Sequence, residues 1–231
     1  MSESQRTTLI IGLSALFLTS LITAQLISSK LALLTIPIIG TVAYPTGTLA
    51  YAGTFFASDL TGEIFGKETA QRLVNIGFGM NFVMLTFVWI AIWATPAEGG
   101  VSQEMFRTVI GTSTNIVLGS LVAYIVSQNW DVFAFHGLRR RTEGKWLWLR
   151  NIGSTGTSQL LDTILFTVIA FMLVPDVLGT GIRLPMPVII QTIIGQYILK
   201  LGIALADTPL VYAAVGVIRR RTSIAPIAEP A

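Results

Sequence analysis

Cysteine is missing from all 231 residues, and histidine occurs once, as His136. The first absence excludes disulfides, thiolate metal sites and cysteine nucleophiles. The second removes the histidine that an intramembrane serine protease needs beside its serine, because His136 is far along the chain from Ser154 and Ser158. No G-x-x-x-x-G-K-[ST] run is present, so this chain does not itself hydrolyse ATP. Nothing resembles a potassium filter, and the sequence calls for no metal or cofactor. Charge is scarce too: Asp, Glu, Lys and Arg make up 12% of residues, against roughly 25% in a soluble domain.

What remains is apolar. Hydrophobic residues are 52% of the chain, and the mean hydropathy is +0.71. Thr7–Ser29, Leu31–Ser58, Leu73–Ala97 and Thr108–Trp130 contain no charge at all. Each is long enough, as a helix, to cross a hydrocarbon core of roughly 30 Å. Asn151–Pro175 is interrupted only by Asp162, and Leu184–Ile218 only by Lys200 and Asp207. These stretches predict an all-α integral membrane protein with six transmembrane helices. The second span is expected to be broken or re-entrant, because Pro45, Gly47 and Gly53 interrupt it. The first is longer than a signal h-region, is followed by Lys30 and lacks an A-x-A site, so it is not expected to be cleaved.

Six spans put Arg6, Lys67, Arg72, Arg139, Arg140, Arg141, Lys145, Arg150, Arg219, Arg220 and Arg221 on one side and Lys30, Arg107 and Arg183 on the other. That bias predicts both termini in the cytoplasm, in a cytoplasmic membrane. The net charge of +3 thus belongs to membrane edges and does not suggest nucleic acid. The stretch Asp131–Arg150, with its basic cluster, Trp146 and Trp148, suits a cytoplasmic loop at the headgroup surface. One transmembrane domain over 1–221 and a disordered tail over 222–231 complete the expected organisation.

An ionised side chain near a helix centre costs about 2.5–3.5 kcal/mol on insertion scales, so it normally faces a partner or a wet cavity. Four places stand out. In "SDLTGEIFGKETA", Asp59 and Glu63 share a helix face, Glu63 and Lys67 repeat the spacing of an ion pair, and Gly62 and Gly66 permit a close contact or a break. In "STGTSQLLDTILF", Ser158, Gln159 and Asp162 project from one flank, with Asp162 deep in its span. In the last span, Gln196 and Lys200 are one turn apart, Asp207 returns to nearly the same face, and Pro209 would kink the helix. Lys200 is the natural counter-charge for Asp162 or Glu63. Gln25 and Lys30 close the first span, Lys30 within reach of the outer interface by snorkelling.

The segments "FFASDLTGEIFGKETAQRL", "GSTGTSQLLDTILF" and "YILKLGIALADTPLVY" resemble the three characteristic segments of the queuosine precursor transporter family, a group also described as vitamin uptake transporters. Asp59, Glu63, Phe65, Gly66, Lys67 and Ala70 match its D-x-x-x-E-x-[YF]-G-[KR]-x-x-A segment. Ser158, Gln159, Asp162 and Thr163 match its S-Q-x-x-D-[TS] segment, and Lys200, Thr208 and Pro209 its last one. Gln25 stands where many members have asparagine, and Phe65 where many have tyrosine. The resemblance implies uptake of 7-cyano- or 7-aminomethyl-7-deazaguanine, salvaged for tRNA modification, by facilitated or proton-coupled transport and without enzymatic chemistry. The residues allow it. A carboxylate of Asp59, Glu63 or Asp162 can accept the N–H edge of a purine-like ring, Gln159 can satisfy the ring carbonyl, and Phe55, Phe56 or Trp89 can stack on its face. For an aminomethyl precursor a second carboxylate can pair the ammonium. Two other classes fit the same composition. One is a substrate-binding subunit that borrows an ATPase. The other is a structural membrane protein in which Lys200 and Asp162 only specify packing; under each reading a homodimer or small oligomer is open.

Overall fold

The first helix starts where the sequence offers a cap. In the computed structural model, which describes residues 2–37, 40–141 and 147–222, α1 runs Glu3–Ile27 behind a capping box. The Ser2 hydroxyl accepts from the Gln5 amide at 3.2 Å, and the Ser2 amide donates to the Gln5 side chain at 3.0 Å. The chain continues as β1 (Leu31–Ile36), β2 (Gly40–Pro45), α2 (Gly47–Phe65), α3 (Lys67–Trp93), α4 (Gln103–Arg141) and α5 (Leu147–Val168). A π-helical turn, Ile169–Leu173, leads into α6 (Val174–Leu178) and then α7 (Met186–Thr222).

Among the described residues, five helical stretches are long and apolar enough to cross a membrane: Glu3–Ile27, Lys67–Trp93, Gln103–Leu138, Ile152–Leu178 and Met186–Ile218. α2 is not among them. The charge-free run from Leu31 to Ser58 does not form one helix, and the chain is therefore not wholly α. Its first half is an antiparallel hairpin, with Leu31 opposite Pro45 and Ile36 opposite Gly40. Its second half is the start of α2. Pro37 and Pro45 cannot donate backbone hydrogen bonds within a helix, and Gly40 takes a φ of 92°. The expected break is present, and it is larger than a kink.

The hairpin is tied at its foot. Thr46 donates its hydroxyl to the Ile27 carbonyl at 2.7 Å and its amide to the Lys30 carbonyl at 2.9 Å. Two glycines let backbones meet there. A Cβ on Gly47 would collide with the Ser28 hydroxyl and Ala24 carbonyl, and one on Gly195 with the Ala43 carbonyl. The hairpin thus lies against α7 with no side chain between at Gly195.

A second difference concerns the joint after α2. The helix stops at Phe65, because Gly66 has φ 90° and ψ 160°, and α3 starts at Lys67. Glu63 and Lys67 therefore sit on different helices, and the ion pair expected from their spacing does not form among the described residues. The expected long loop is also shorter. Helix α4 persists to Arg141 and α5 resumes at Leu147. Residues 142–146 and 223–231, including Trp146 and nearly all of the expected tail, lie outside the described residues.

The burial pattern differs from that of a water-soluble bundle: apolar side chains fill both the interior and the outer surface. Leu205 is 79% exposed and Phe87 67%, whereas Asn81, Asn115, Thr61, Thr163 and Thr192 are fully buried. Apolar side chains face outward to lipid, and small polar ones sit where helices meet, as membrane helix packing requires. α4 approaches the end of α5 and the π turn closely at Gly119, where a Cβ would press on the Phe166 carbonyl and on Ala170. Beyond the π turn the connection before α7 is latched to α4. Asn115 donates to the Thr180 carbonyl at 2.7 Å and accepts from its hydroxyl at 2.9 Å.

Candidate functional site

Helices α2, α4, α5 and α7 turn polar and aromatic side chains toward the same interior space. On α5, Ser158 and Asp162 stand one turn apart, and on α7 so do Gln196 and Lys200. Facing them on α4 are Tyr124, Ser127 and Asp131, and α2 contributes Tyr51 and Phe55. The centre of this group is an ion pair: Lys200 Nζ lies 2.6 Å from Asp162 Oδ2, with the side chains 10% and 22% exposed. Of the two counter-charges open to Lys200 on sequence, Asp162 is the one it meets. The other Asp162 oxygen accepts from the Ser127 hydroxyl at 3.4 Å. Nearby, Thr167 donates to Gln196 at 3.2 Å, and Gln25 donates to Ser120 at 3.2 Å.

Two adjoining cavities meet at this pair. One of about 70 Å³ reaches back to Gln25, Ser28 and Gly47 beneath the hairpin, with Gln196 in its wall. The other, of about 280 Å³, runs along α4 and α5 past Ser127, Gln128, Ser158 and Gln159 to Asp131 and Thr155. Tyr51, Phe55, Tyr124, Asp162 and Lys200 line both. The walls are flat and aromatic: Tyr51 meets Phe55 edge-on at 5.3 Å, and Phe78 meets Tyr124 at 4.5 Å. Together the two spaces reach the lower end of the range for small-molecule sites, about 300–1,000 Å³. Chemically, they offer an ammonium and a carboxylate side by side, carboxamides and hydroxyls around them, and rings on which a planar ligand can stack.

Of the residues singled out from sequence, Gln25, Phe55, Ser158, Gln159, Asp162, Gln196 and Lys200 thus come together. The rest do not. Asp59 and Glu63 share a face of α2, as their spacing predicts, but they line a separate cavity of about 440 Å³ with Thr208. Asp207 belongs to that region, its carboxyl group close enough to that of Asp59 for the two to interact. The stripe expected on the last span therefore divides: Lys200 turns to α5, while Asp207, seven residues on, turns to α2. Lys30 is exposed at the hairpin foot. Phe56 packs against the Leu13–Leu60 cluster, and Trp89 donates to Thr114 at 3.1 Å. Neither ring reaches the cavities.

Tyr51, Tyr124, Ser127 and Asp131 are lining residues that the sequence reasoning passed over. Tyr51 could have been found as the i−4 neighbour of Phe55. Ser127 and Asp131, one turn apart, mirror the spacing of Ser158 and Asp162 but stand at the edge of a charged stretch.

A family profile described as "Putative vitamin uptake transporter" matches residues 45–214. A protein of Bacillus subtilis (strain 168), described as "Probable queuosine precursor transporter", is 37% identical over 170 residues, covering 73% of this chain and 70% of that protein. The "Queuosine precursor transporter" of Escherichia coli (strain K12) is 29% identical over 167 residues, covering 70% and 71%. A Haemophilus influenzae protein described as "Probable queuosine precursor transporter" is 29% identical over 125 residues, covering 54% and 51%. No solved structure matches. The match from residue 45 to 214 takes in α2 through most of α7, and so all of the cavity lining except what α1 and Ser28 supply, Gln25 included.

Proposed function

Because this chain belongs to the family described as "Putative vitamin uptake transporter", we propose that it imports a 7-deazaguanine precursor of queuosine, of the 7-cyano or 7-aminomethyl kind, across the cytoplasmic membrane. The observation that carries this reading is the Lys200–Asp162 pair in an aromatic-walled cavity. A guanine-like ring presents a carbonyl acceptor beside two N–H donors on one edge. The pair presents the complement, an ammonium donor beside a carboxylate acceptor, and Gln159 and Gln196 can take what remains. Tyr51, Phe55 and Tyr124 supply the stacking surface, at about 0.5–1.5 kcal/mol per good ring contact beyond area burial.

In the membrane, the hairpin and α2 together make the sixth crossing, and both termini are cytoplasmic by the lysine and arginine bias. The larger cavity then points toward the cytoplasm, and the hairpin with the Asn115–Thr180 latch closes the opposite face. Transport is facilitated or proton-coupled. Asp59, Glu63 and Asp207 act away from the ligand, on the cytoplasmic exit.

The test is ligand-dependent stabilisation of the detergent-purified protein, with cyano- and aminomethyl-deazaguanine against guanine, biotin and riboflavin. A ligand at 100 times its dissociation constant adds about 2.7 kcal/mol to the bound state. A melting shift with a deazaguanine and none with biotin or riboflavin is expected. A folded sample that shifts with neither deazaguanine would sink the reading. Uptake in cells at several pH values then separates a facilitator from a proton-coupled carrier.

A further inference from the structure

We propose that Asp131 selects the substituent of the ligand, so that the cavity favours an amine-bearing, cationic heterocycle over its neutral counterpart. This rests on the reading of the site just given and names the member of the substrate class that it prefers.

α4 and α5 are antiparallel, and each presents a serine and an aspartate one turn apart, in opposite order. The result is two rungs between the helices. Ser127 donates to Asp162 at 3.4 Å, and Ser158 donates to Asp131 at 3.2 Å. The rungs are alike in composition and differ in charge. Asp162 also holds Lys200 at 2.6 Å. Asp131, half-buried and lining the same cavity, meets no cation among the described residues. A carboxylate can accept about four hydrogen bonds, and Ser158 fills one. The wall of the larger cavity thus carries two carboxylates and a single ammonium, and a positive centre on the ligand would balance it. An ionised carboxylate within a spanning helix normally faces a partner or a wet cavity, and Asp131 faces the cavity.

The geometry also says which end of the ligand would arrive there. In a 7-substituted deazaguanine, the substituent and the ring carbonyl lie on the same side of the bicycle. With the carbonyl on Lys200 and the N–H edge on Asp162, the substituent lies on the side of the carbonyl away from Asp162, and in this pose it runs along the α4–α5 seam. One helical turn away, about 5.4 Å along the axis, that seam reaches Asp131. An aminomethyl group carries an ammonium there. A cyano group offers only an acceptor, which a carboxylate repels.

The experiment measures dissociation constants of 7-aminomethyl- and 7-cyano-7-deazaguanine on purified wild type, Asp131→Asn and Asp131→Glu. Wild type should bind the aminomethyl compound at least tenfold more tightly. In Asp131→Asn that affinity should fall about tenfold or more, with the cyano constant moving less than twofold, and Asp131→Glu should restore part of the preference. Wild type binding both equally, or the cyano compound better, overturns the selection and leaves the site reading standing, and it needs no variant to fold. Equal weakening of both ligands in Asp131→Asn would make the residue a support for cavity shape, and no change in either would remove it from the site. Binding of neither ligand by folded wild type overturns the site reading and this inference together.

Discussion

Removing one member of the Lys200–Asp162 pair should cost far more stability than removing both. At 2.6 Å and an effective dielectric constant near 20, the gross attraction is about 6 kcal/mol. Much of it is offset by taking two ions out of water, since neither side chain is more than 22% exposed. In Lys200→Met the Asp162 carboxylate is left with one serine hydroxyl, and in Asp162→Leu an ammonium is stranded between helices. Each single change should destabilise by about 3–5 kcal/mol. The double variant leaves no charge and similar volume, and should return to within about 1 kcal/mol of wild type. Reversible unfolding of all four proteins in mixed micelles supplies the cycle. Uptake of radiolabelled precursor should vanish in all three variants, the stable double one included. A double variant whose loss equals the sum of the singles would refute the pair as a coupled unit. A stable double variant that still transported would leave the pair a packing device and move the ligand elsewhere.

Other perturbations are simpler. Gly195→Leu must displace the hairpin from α7 and should cost about 1–3 kcal/mol, whereas Gly12→Ala meets nothing within 4 Å and should gain up to about 1 kcal/mol; melting temperatures of the two variants check both signs. Asn115→Ala breaks both hydrogen bonds to Thr180 and should cost about 1–3 kcal/mol, with faster hydrogen exchange over 179–185 as its local signature. Glu63→Gln lies in a separate cavity, so the ligand dissociation constant should stay within twofold even where uptake slows; a tenfold loss of affinity would join the two cavities into one site.

The helices were legible because charge is so rare. A gap of more than twenty residues between charges has few meanings, and three of the five long apolar helices coincide with charge-free gaps and the other two with gaps holding one or two buried ions. The hairpin was not legible, since "LALLTIPIIGTVAYP" is apolar on both faces and lacks the alternation that marks a half-exposed strand. Only its prolines and glycines signalled trouble, and they give the place of a break without its form. The ion pair could be read because a lysine and an aspartate deep in apolar segments need each other. The separation of Asp59 and Glu63 from that pair could not, because spacing fixes a face of one helix and says nothing about which neighbour it meets. Asp131 was hidden by its company: beside Trp130 and ahead of "RRR" it reads as a solvated helix end, and only the persistence of α4 to Arg141 carries it inside.

The hairpin lying against α7 has a bearing on how the chain is made. Two strands leave two outer edges of unpaired amides and carbonyls, which lipid cannot satisfy. Part of their shielding comes from α7, which packs against β2 at Gly195, some 150 residues later in the chain. A ribosome therefore delivers this apolar ribbon long before its cover exists. In that interval the segment has to wait at the interface, hold a provisional helical form, or be sheltered by another protein. Nascent chains halted before Met186 should keep 31–45 accessible to proteases and labelling reagents, and release of the last helix should close it. The final stretch of translation is then the moment at which the hairpin gains its neighbour.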